Sequence, residues 1–331
     1  MGHTRGYLND TLSGFIKSIY KFHLLIRIII IFIYKISTMN INQFLAEPDK
    51  FNSLKKYDSD STAGVSDKKE AEDWMNKYIK EMQVLQDRLY ADNAHAVLLI
   101  FQAMDGAGKD STIKHVMSGI NPQGCQVYSF KQPSVEELEH DFLWRTTKCM
   151  PERGRIGIFN RSYYEEVLIV KVHPEIILNQ KLPGVDTLKK VDDNFWRERY
   201  ESINDLENHL VRNGTTVIKF FLNVSKKEQA DRFLKRISEP EKNWKFTYSD
   251  IEERNCWDDY QKAYELMIRQ TSTHNAPWYI IPADKKWYMR LAVAEVILQR
   301  LKDLGLKYPV LTGKQIAELE KGKQLLQDEL S

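Results

Sequence analysis

The sequence predicts an α/β fold, a parallel sheet with helices on both faces, organised around a phosphate-binding loop and closed by a helical lid. Three observations carry this. The short, continuously apolar run "AVLLIFQ" (96–102) reads as a strand buried on both faces, and "TTVIKFFLNV" (215–224), bounded by Gly214, reads as a further strand. Segments with helical spacing of apolar residues separate them, the alternation expected of a parallel sheet. The first of these strands runs into "AMDGAGKDST" (103–112), a glycine-containing turn that opens a helix, which is the setting a phosphate loop requires.

Along the chain, "FHLLIRIIIIFIYKIS" is strongly apolar, but Arg27 and Lys35 bracket an uninterrupted run of only residues 28–34. A membrane span needs roughly 20 mostly apolar residues, and no small-residue cleavage site follows. Residues 1–38 are therefore expected to be an extraneous extension, with Met39 as the start; a membrane-surface anchor is the rival reading. Residues 39–90 read as a polar, loop-like linker followed by an amphipathic helix. Trp74, Tyr78, Met82, Leu85 and Leu89 recur there at spacings of three and four.

Residues 91–305 form the expected catalytic domain. After the glycine loop, "KDSTIKHVMSG" reads as a helix stopped at Gly119, "CQVYSF" (125–130) as a strand and 134–148 as a helix. "RIGIFN" (155–160) reads as a strand with "RSYYEEVLIVKV" as the helix after it. A long helix is expected over 188–212, a strand over 215–224 and a helix from Ser225. "WYIIPA" (278–283) is the last strand, and a helix follows through 285–303. The charged tail, 306–331, reads as a surface helix.

Composition narrows the function. A net charge of +2 over 331 residues advertises no nucleic acid, so a polyanion site must arise from local segregation of charge. Cys125, Cys149 and Cys256 are odd in number and widely spaced. They imply neither a disulfide framework nor a zinc site, which suits a reducing cytoplasm. His115, His140 and His173 show no ligand spacing, and no Ser-His-Asp arrangement or G-x-S-x-G is present.

The loop departs from the standard G-x-x-x-x-G-K-[ST], with Ala103 and Asp110 where Gly and Ser or Thr are usual. Gly106, Ala107 and Gly108 let successive N–H groups turn toward one anion, and the helix that begins with Asp110 and Ser111 offers its N-terminus to the same anion. Lys109 supplies a point charge. Two carboxylates, Asp105 and Asp110, are out of place beside phosphate unless a cation lies between. They are therefore read as Mg²⁺ ligands, direct or through water, with Mn²⁺ also admissible. Asp110 has an alternative reading as an acid favouring a helix N-terminus.

Two further clusters join the loop. In "PERGRIGIFNRSYYEEV" (151–167) a strand ends at Asn160 and Arg161, where open parallel sheets bind ligands, with Glu165 and Glu166 following. The alternative for Arg161 is a local pair with Glu165. In "KKEQADRFLKRISEPEKNWKFTYSD" (226–250), Arg232 and Arg236 share a helix face, Pro240 breaks the helix, and Lys242 and Lys245 flank Trp244. A mobile basic segment of this kind suits a kinase lid. Lys131, Arg145 and Arg153, with Lys148 and Arg155, could line an acceptor pocket; Phe142 and Trp144 nearby are better read as core.

Taken together, "MDGAGKDST", "FNRSYYEEV" and "RFLKRISEPEKNWKFTYSD" resemble the motifs of the polyphosphate kinase 2 family, whose fold is related to thymidylate kinase. "HVMSGINPQGCQVYSF" and "FLWRTTKCMPERGRIGIFNRSYYEEVL" resemble the branch that accepts nucleoside mono- as well as diphosphates. The likeness spans about residues 60–305. It implies Mg²⁺-dependent, reversible phosphoryl transfer between inorganic polyphosphate and an adenine or guanine nucleotide, in a homo-oligomer. It also implies that Asp105 and Lys109 belong to the catalytic loop, Arg161 to the second motif, and Arg232 and Arg236 to the lid. Its rivals are an ATP-dependent nucleoside monophosphate kinase, a non-catalytic nucleotide-binding switch, and a polyanion-binding protein without catalysis.

Overall fold

The computed structural model describes residues 39–331; the apolar extension read over 1–38 lies outside them. The elements are β1 Leu45–Ala46, α1 Lys68–Asp92, β2 Ala96–Gln102, α2 Lys109–Val116, β3 Cys125–Ser129, α3 Val135–Leu138, α4 Trp144–Thr147, β4 Ile156–Asn160, α5 Ile169–Val172, α6 Asp193–Arg212, β5 Thr215–Asn223, α7 Lys226–Ser238, α8 Ser249–Asn255, α9 Trp257–Thr271, β6 Trp278–Pro282, α10 Lys286–Asp303 and α11 Gly313–Leu330.

The sheet order is β1-β6-β5-β2-β4-β3. β2 lies between β4 and β5, parallel to both, and every one of its residues is buried, as its unbroken apolar run requires. After β2 the chain crosses to the far edge at β3 and returns through β4, then crosses to the other side at β5. The order therefore reverses around β2, and the crevice beyond its carboxyl end is where such sheets hold ligands.

α10 packs on α1, α2, β5 and β6; α6 packs on β5 and α9 on α6. The sheet is not wholly parallel: β1 pairs antiparallel with β6, Leu45 opposite Tyr279. A strand of two residues carries no periodicity, so the loop-like reading of this stretch could not reveal it. The chain after β1 is also tied to the carboxyl ends of the strands. Asn223 donates to the Tyr57 carbonyl at 2.8 Å, the Asp284 amide to the Ser59 carbonyl at 3.0 Å, and Lys285 pairs with Asp60 at 2.7 Å.

Two expected helices are broken. Over 134–148, a Ser134–Glu137 capping box closes one turn. Asp141 then turns its carboxylate onto the Leu143 amide at 2.9 Å, a side-chain bond that competes with helix continuation. Over 161–172, Arg161 takes a left-handed conformation with φ 63°, and a 3₁₀ segment, Tyr163–Val167, follows. The tyrosines explain it: Tyr163 and Tyr164 are adjacent yet both hydroxyls donate to Glu207 Oε1, at 2.8 and 2.7 Å. On an α-helix neighbouring side chains diverge and could not share one acceptor.

Glu207 is itself buried with Lys219, whose ammonium donates to it at 2.6 Å, to Tyr164 at 2.9 Å and to the Thr271 carbonyl at 2.7 Å. A buried charge is tolerated when its donors are satisfied in this way. Burial pulls the Lys219 ammonium below its ordinary value, with Glu207 opposing. Among the described residues no helix is long and apolar enough to cross a membrane.

Candidate active site

A cleft of about 580 Å³ opens at the carboxyl end of β2. Its floor is the loop between β2 and α2, its walls the ends of β3 and β4, and its roof α7 with the 3₁₀ segment Pro240–Lys245. The loop is shaped by two glycines with positive φ, Gly106 at 81° and Gly108 at 101°. Gly106 lies under the lid helix: a Cβ there would meet Phe233 Cε1 at 2.9 Å. Gly106→Ala therefore combines backbone strain with a clash. We expect a loss of about 1–3 kcal/mol and a lower kcat, read by thermal melting and kinetics together; an unchanged melt would show that Phe233 gives way freely.

Lys109 opens α2 and is buried, its ammonium donating to the Ala103 carbonyl at 2.7 Å and lying 3.8 Å from Asp105. Burial pulls this ammonium below its ordinary value, with Asp105 opposing. Arg161 holds Asp105 Oδ1 at 2.7 Å, so the alternative of a local pair with Glu165 gives way to a bridge between the β4 end and the loop. Desolvation pushes the Asp105 carboxyl up, but the charges of Lys109 and Arg161 outweigh it and hold the carboxyl below its ordinary value. Asp110 accepts from Asn160 Nδ2 at 2.7 Å. The second motif thus grips both loop carboxylates.

Among the described residues no three His, Cys, Asp or Glu side chains gather into a ready-made metal cage. Asp105 and Asp110 nevertheless both line the cleft. Such an oxygen set, with one or two carboxylates and room for phosphate and water, fits Mg²⁺ or Mn²⁺ better than a softer ion.

Several expected site residues stand elsewhere. Arg153 donates to the Ala94 carbonyl at 2.6 Å, before the start of β2 and hence at the opposite end of the sheet. Arg145 is buried outside the cleft and donates to the Lys131 carbonyl at 2.7 Å; it supports the backbone of Lys131, which does line the cleft. Glu165 is not among the lining residues. It sits behind Arg161 and Lys109, whose charges oppose the upward push that burial gives its carboxyl.

Arg232 is the largest departure. It touches the cleft, but its guanidinium is consumed by the backbone: Nη1 donates to the Gly106 and Ala107 carbonyls at 3.1 and 2.6 Å, and Nη2 to Ala283 and Asp284 at 2.5 and 3.0 Å. Nε bonds Glu228 at 2.7 Å. It is a staple under the loop, not a free lid charge. Arg236, Lys242 and Lys245 do face the cleft, as do Gly106, Gly108 and Ser111; Ala107 is fully buried. The Ser111 hydroxyl donates to the Gly108 carbonyl at 3.0 Å. Phe142 lies under the Arg199 guanidinium, and Trp144 stacks between His140 and Lys148.

Lys286, Lys235, Asp250 and Phe130 also line the cleft. Lys286 was findable: the "DKK" after the last strand stands at a carboxyl end, on the ligand side of an open sheet. Asp250 and Phe130 carry no local signal; only the fold brings them in.

Comparisons with known proteins agree on one family. The family model described as Polyphosphate kinase 2 matches residues 65–308. A Rhodopseudomonas palustris protein named ADP-polyphosphate phosphotransferase is 57% identical over 75% of this chain and 85% of its own length. A Meiothermus ruber protein named AMP/ADP-polyphosphate phosphotransferase is 41% identical over 81% of this chain and 96% of its own. The crystal structure of polyphosphate kinase 2 from Arthrobacter aurescens TC1 superposes with a TM-score of 0.77 at 37% identity, covering 86% of this chain and 98% of that one.

Proposed function

The chain belongs to the polyphosphate kinase 2 family, and from that premise we propose that its cleft transfers a phosphoryl group between inorganic polyphosphate and AMP or ADP, in either direction. The observation that supports this reading most is the charge of the lining. Nine side chains there are cationic, Lys109, Lys131, Arg161, Arg232, Lys235, Arg236, Lys242, Lys245 and Lys286, against the carboxylates of Asp105, Asp110 and Asp250. The whole chain carries only +2, so this concentration is local, and it suits two polyanions held together better than one nucleotide alone.

The residues have separable tasks. Lys109, Arg161 and the loop amides hold the transferring phosphoryl group, where charge spreads over its equatorial oxygens. Arg236, Lys235, Lys242 and Lys245 come from the lid side and draw donor and acceptor into line against their mutual repulsion. Arg161 and Asn160 keep the Asp105 and Asp110 carboxylates aimed into the cleft. A terminal phosphate is already ionised near neutral pH, so no side chain is required as general base. Asp105 and Asp110 would hold Mg²⁺, which when bound supplies charge neutralisation between carboxylate and phosphate. The working enzyme is read as a homo-oligomer.

The test is direct: purified chain, Mg²⁺, polyphosphate and AMP or ADP, with products separated by chromatography. Formation of ADP or ATP that requires polyphosphate is expected. Efficient phosphorylation of AMP by ATP with indifference to polyphosphate would overturn the reading in favour of an ATP-dependent kinase.

A further inference from the structure

The family match ends at residue 308, and the helix α11 lies beyond it. Tyr308 is fixed to α1, its hydroxyl donating to Asp87 at 2.6 Å with Arg88 over the ring. Residues 309–312 then lead into a helix started by a complete Thr312–Gln315 capping box. That box is worth roughly a kcal/mol of helix stability, yet none of the helix's residues is buried. Ile316, Leu319, Leu326 and Leu330 are all more than half exposed. Most helical stability in proteins comes from packing of an apolar face rather than from propensity, so a well-capped helix carrying exposed leucines needs a partner.

The spacing names the kind of partner. Ile316, Leu319, Lys323, Leu326 and Leu330 fall at alternating intervals of three, four, three and four, the a and d positions of a coiled-coil seam. Lys323 occupies one central a position, and a polar residue at a single a position sets register and oligomer state at some cost in stability. The charges set the direction. In residues 313–323, Lys314, Lys321 and Lys323 outnumber Glu318 and Glu320 by one; in 324–331, Asp328 and Glu329 have no cation among them. Lys323 lies in the seam, so outside it the first half is balanced and the second half is acidic; antiparallel pairing brings Asp328 and Glu329 toward Lys314 of the partner helix, whereas parallel pairing sets these acids against their own copies.

We propose that α11 pairs antiparallel with α11 of a second copy of this chain, through the seam of Ile316, Leu319, Leu326 and Leu330. A lipid surface is the poorer occupant, because outside the seam the helix carries four acids against only Lys314 and Lys321, where interfacial helices are rich in Lys and Arg. The seam is short. By itself it falls near the lower limit of a specific interface, about 1,000 Å², so its task is to join protomers or dimers already concentrated by one another.

The full-length chain and its Leu319→Glu/Leu326→Glu variant are compared by light scattering after size exclusion. We expect the variant to lose half the mass of the parent assembly while keeping its kcat, since α11 is outside the cleft. An unchanged mass overturns the proposal, as does binding of the parent chain to anionic vesicles with no change in mass. Orientation is read separately, by spin labels at Glu329→Cys in a chain with Cys125, Cys149 and Cys256 replaced by serine. Antiparallel helices put the two labels roughly 20 Å apart, at 1.5 Å per residue on either side of the centre; a separation near 10 Å overturns the antiparallel pairing.

Discussion

Lys109→Ala is expected to lower kcat by on the order of 10³-fold, the loss that follows removal of a preorganised charge from a phosphoryl-transfer site, while the melting temperature moves by only a few degrees. The two readouts separate because of where the side chain points. Its ammonium is held by the Ala103 carbonyl and faces Asp105 across 3.8 Å, so it contributes to the charge of the cleft floor more than to the core. Water entering the cleft can satisfy Ala103 once the side chain is gone. Lys109→Arg is not expected to rescue. The planar fork presents donors in a different geometry from a point charge, and the lysine is only 8% exposed. Asp105→Asn makes the complementary case. It keeps an acceptor for Arg161 but removes the charge that a divalent cation needs, so the variant should require far more Mg²⁺ and show a large kcat loss even at saturation. Wild-type turnover in Lys109→Ala would remove the lysine from the mechanism; wild-type metal dependence in Asp105→Asn would remove the carboxylate from the metal site.

What the sequence disclosed follows from how far each signal reaches along the chain. β2 and β6 are legible because full burial leaves an apolar run, β5 because Gly214 bounds a run rich in Val, Ile and Phe, and α1 because its buried face repeats every three or four residues. The loop is legible because its glycines and Lys109 act within a few positions of one another. Legibility fails where a side chain serves a partner far away. Nothing in "RSYYEEV" says that both tyrosines serve Glu207, 44 and 43 residues on, and that demand is what turns an expected helix into a 3₁₀ segment. Arg153 and Arg145 failed for a related reason. A cation in a promising stretch has several backbone carbonyls within reach, and only tertiary geometry decides whether it meets substrate or scaffold.

Arg232→Lys should damage the enzyme more broadly than the loss of any free lid cation. The guanidinium joins two layers that no backbone bond connects: the loop carbonyls of Gly106 and Ala107, and the Ala283 and Asp284 carbonyls past the end of β6. A buried acceptor left without its donor costs about 1–3 kcal/mol, and an ammonium cannot span four acceptors in two directions as a planar fork does. The expected loss is therefore at least about 4 kcal/mol if half of these contacts fail at a middle value, seen as a large fall in melting temperature. kcat should fall with it, because the loop's peptide planes are no longer fixed where phosphate must dock. Arg236→Ala provides the contrast. Arg236 lies over the Phe233 ring and lines the cleft, so its loss should leave stability within about 0.5 kcal/mol and raise the KM for polyphosphate. If Arg232→Lys instead melted like the parent and changed only the polyphosphate KM, Arg232 would be a substrate-binding lid arginine after all. The four carbonyls would then be satisfied by water, and the loop would owe its shape to Gly106 and Gly108 alone.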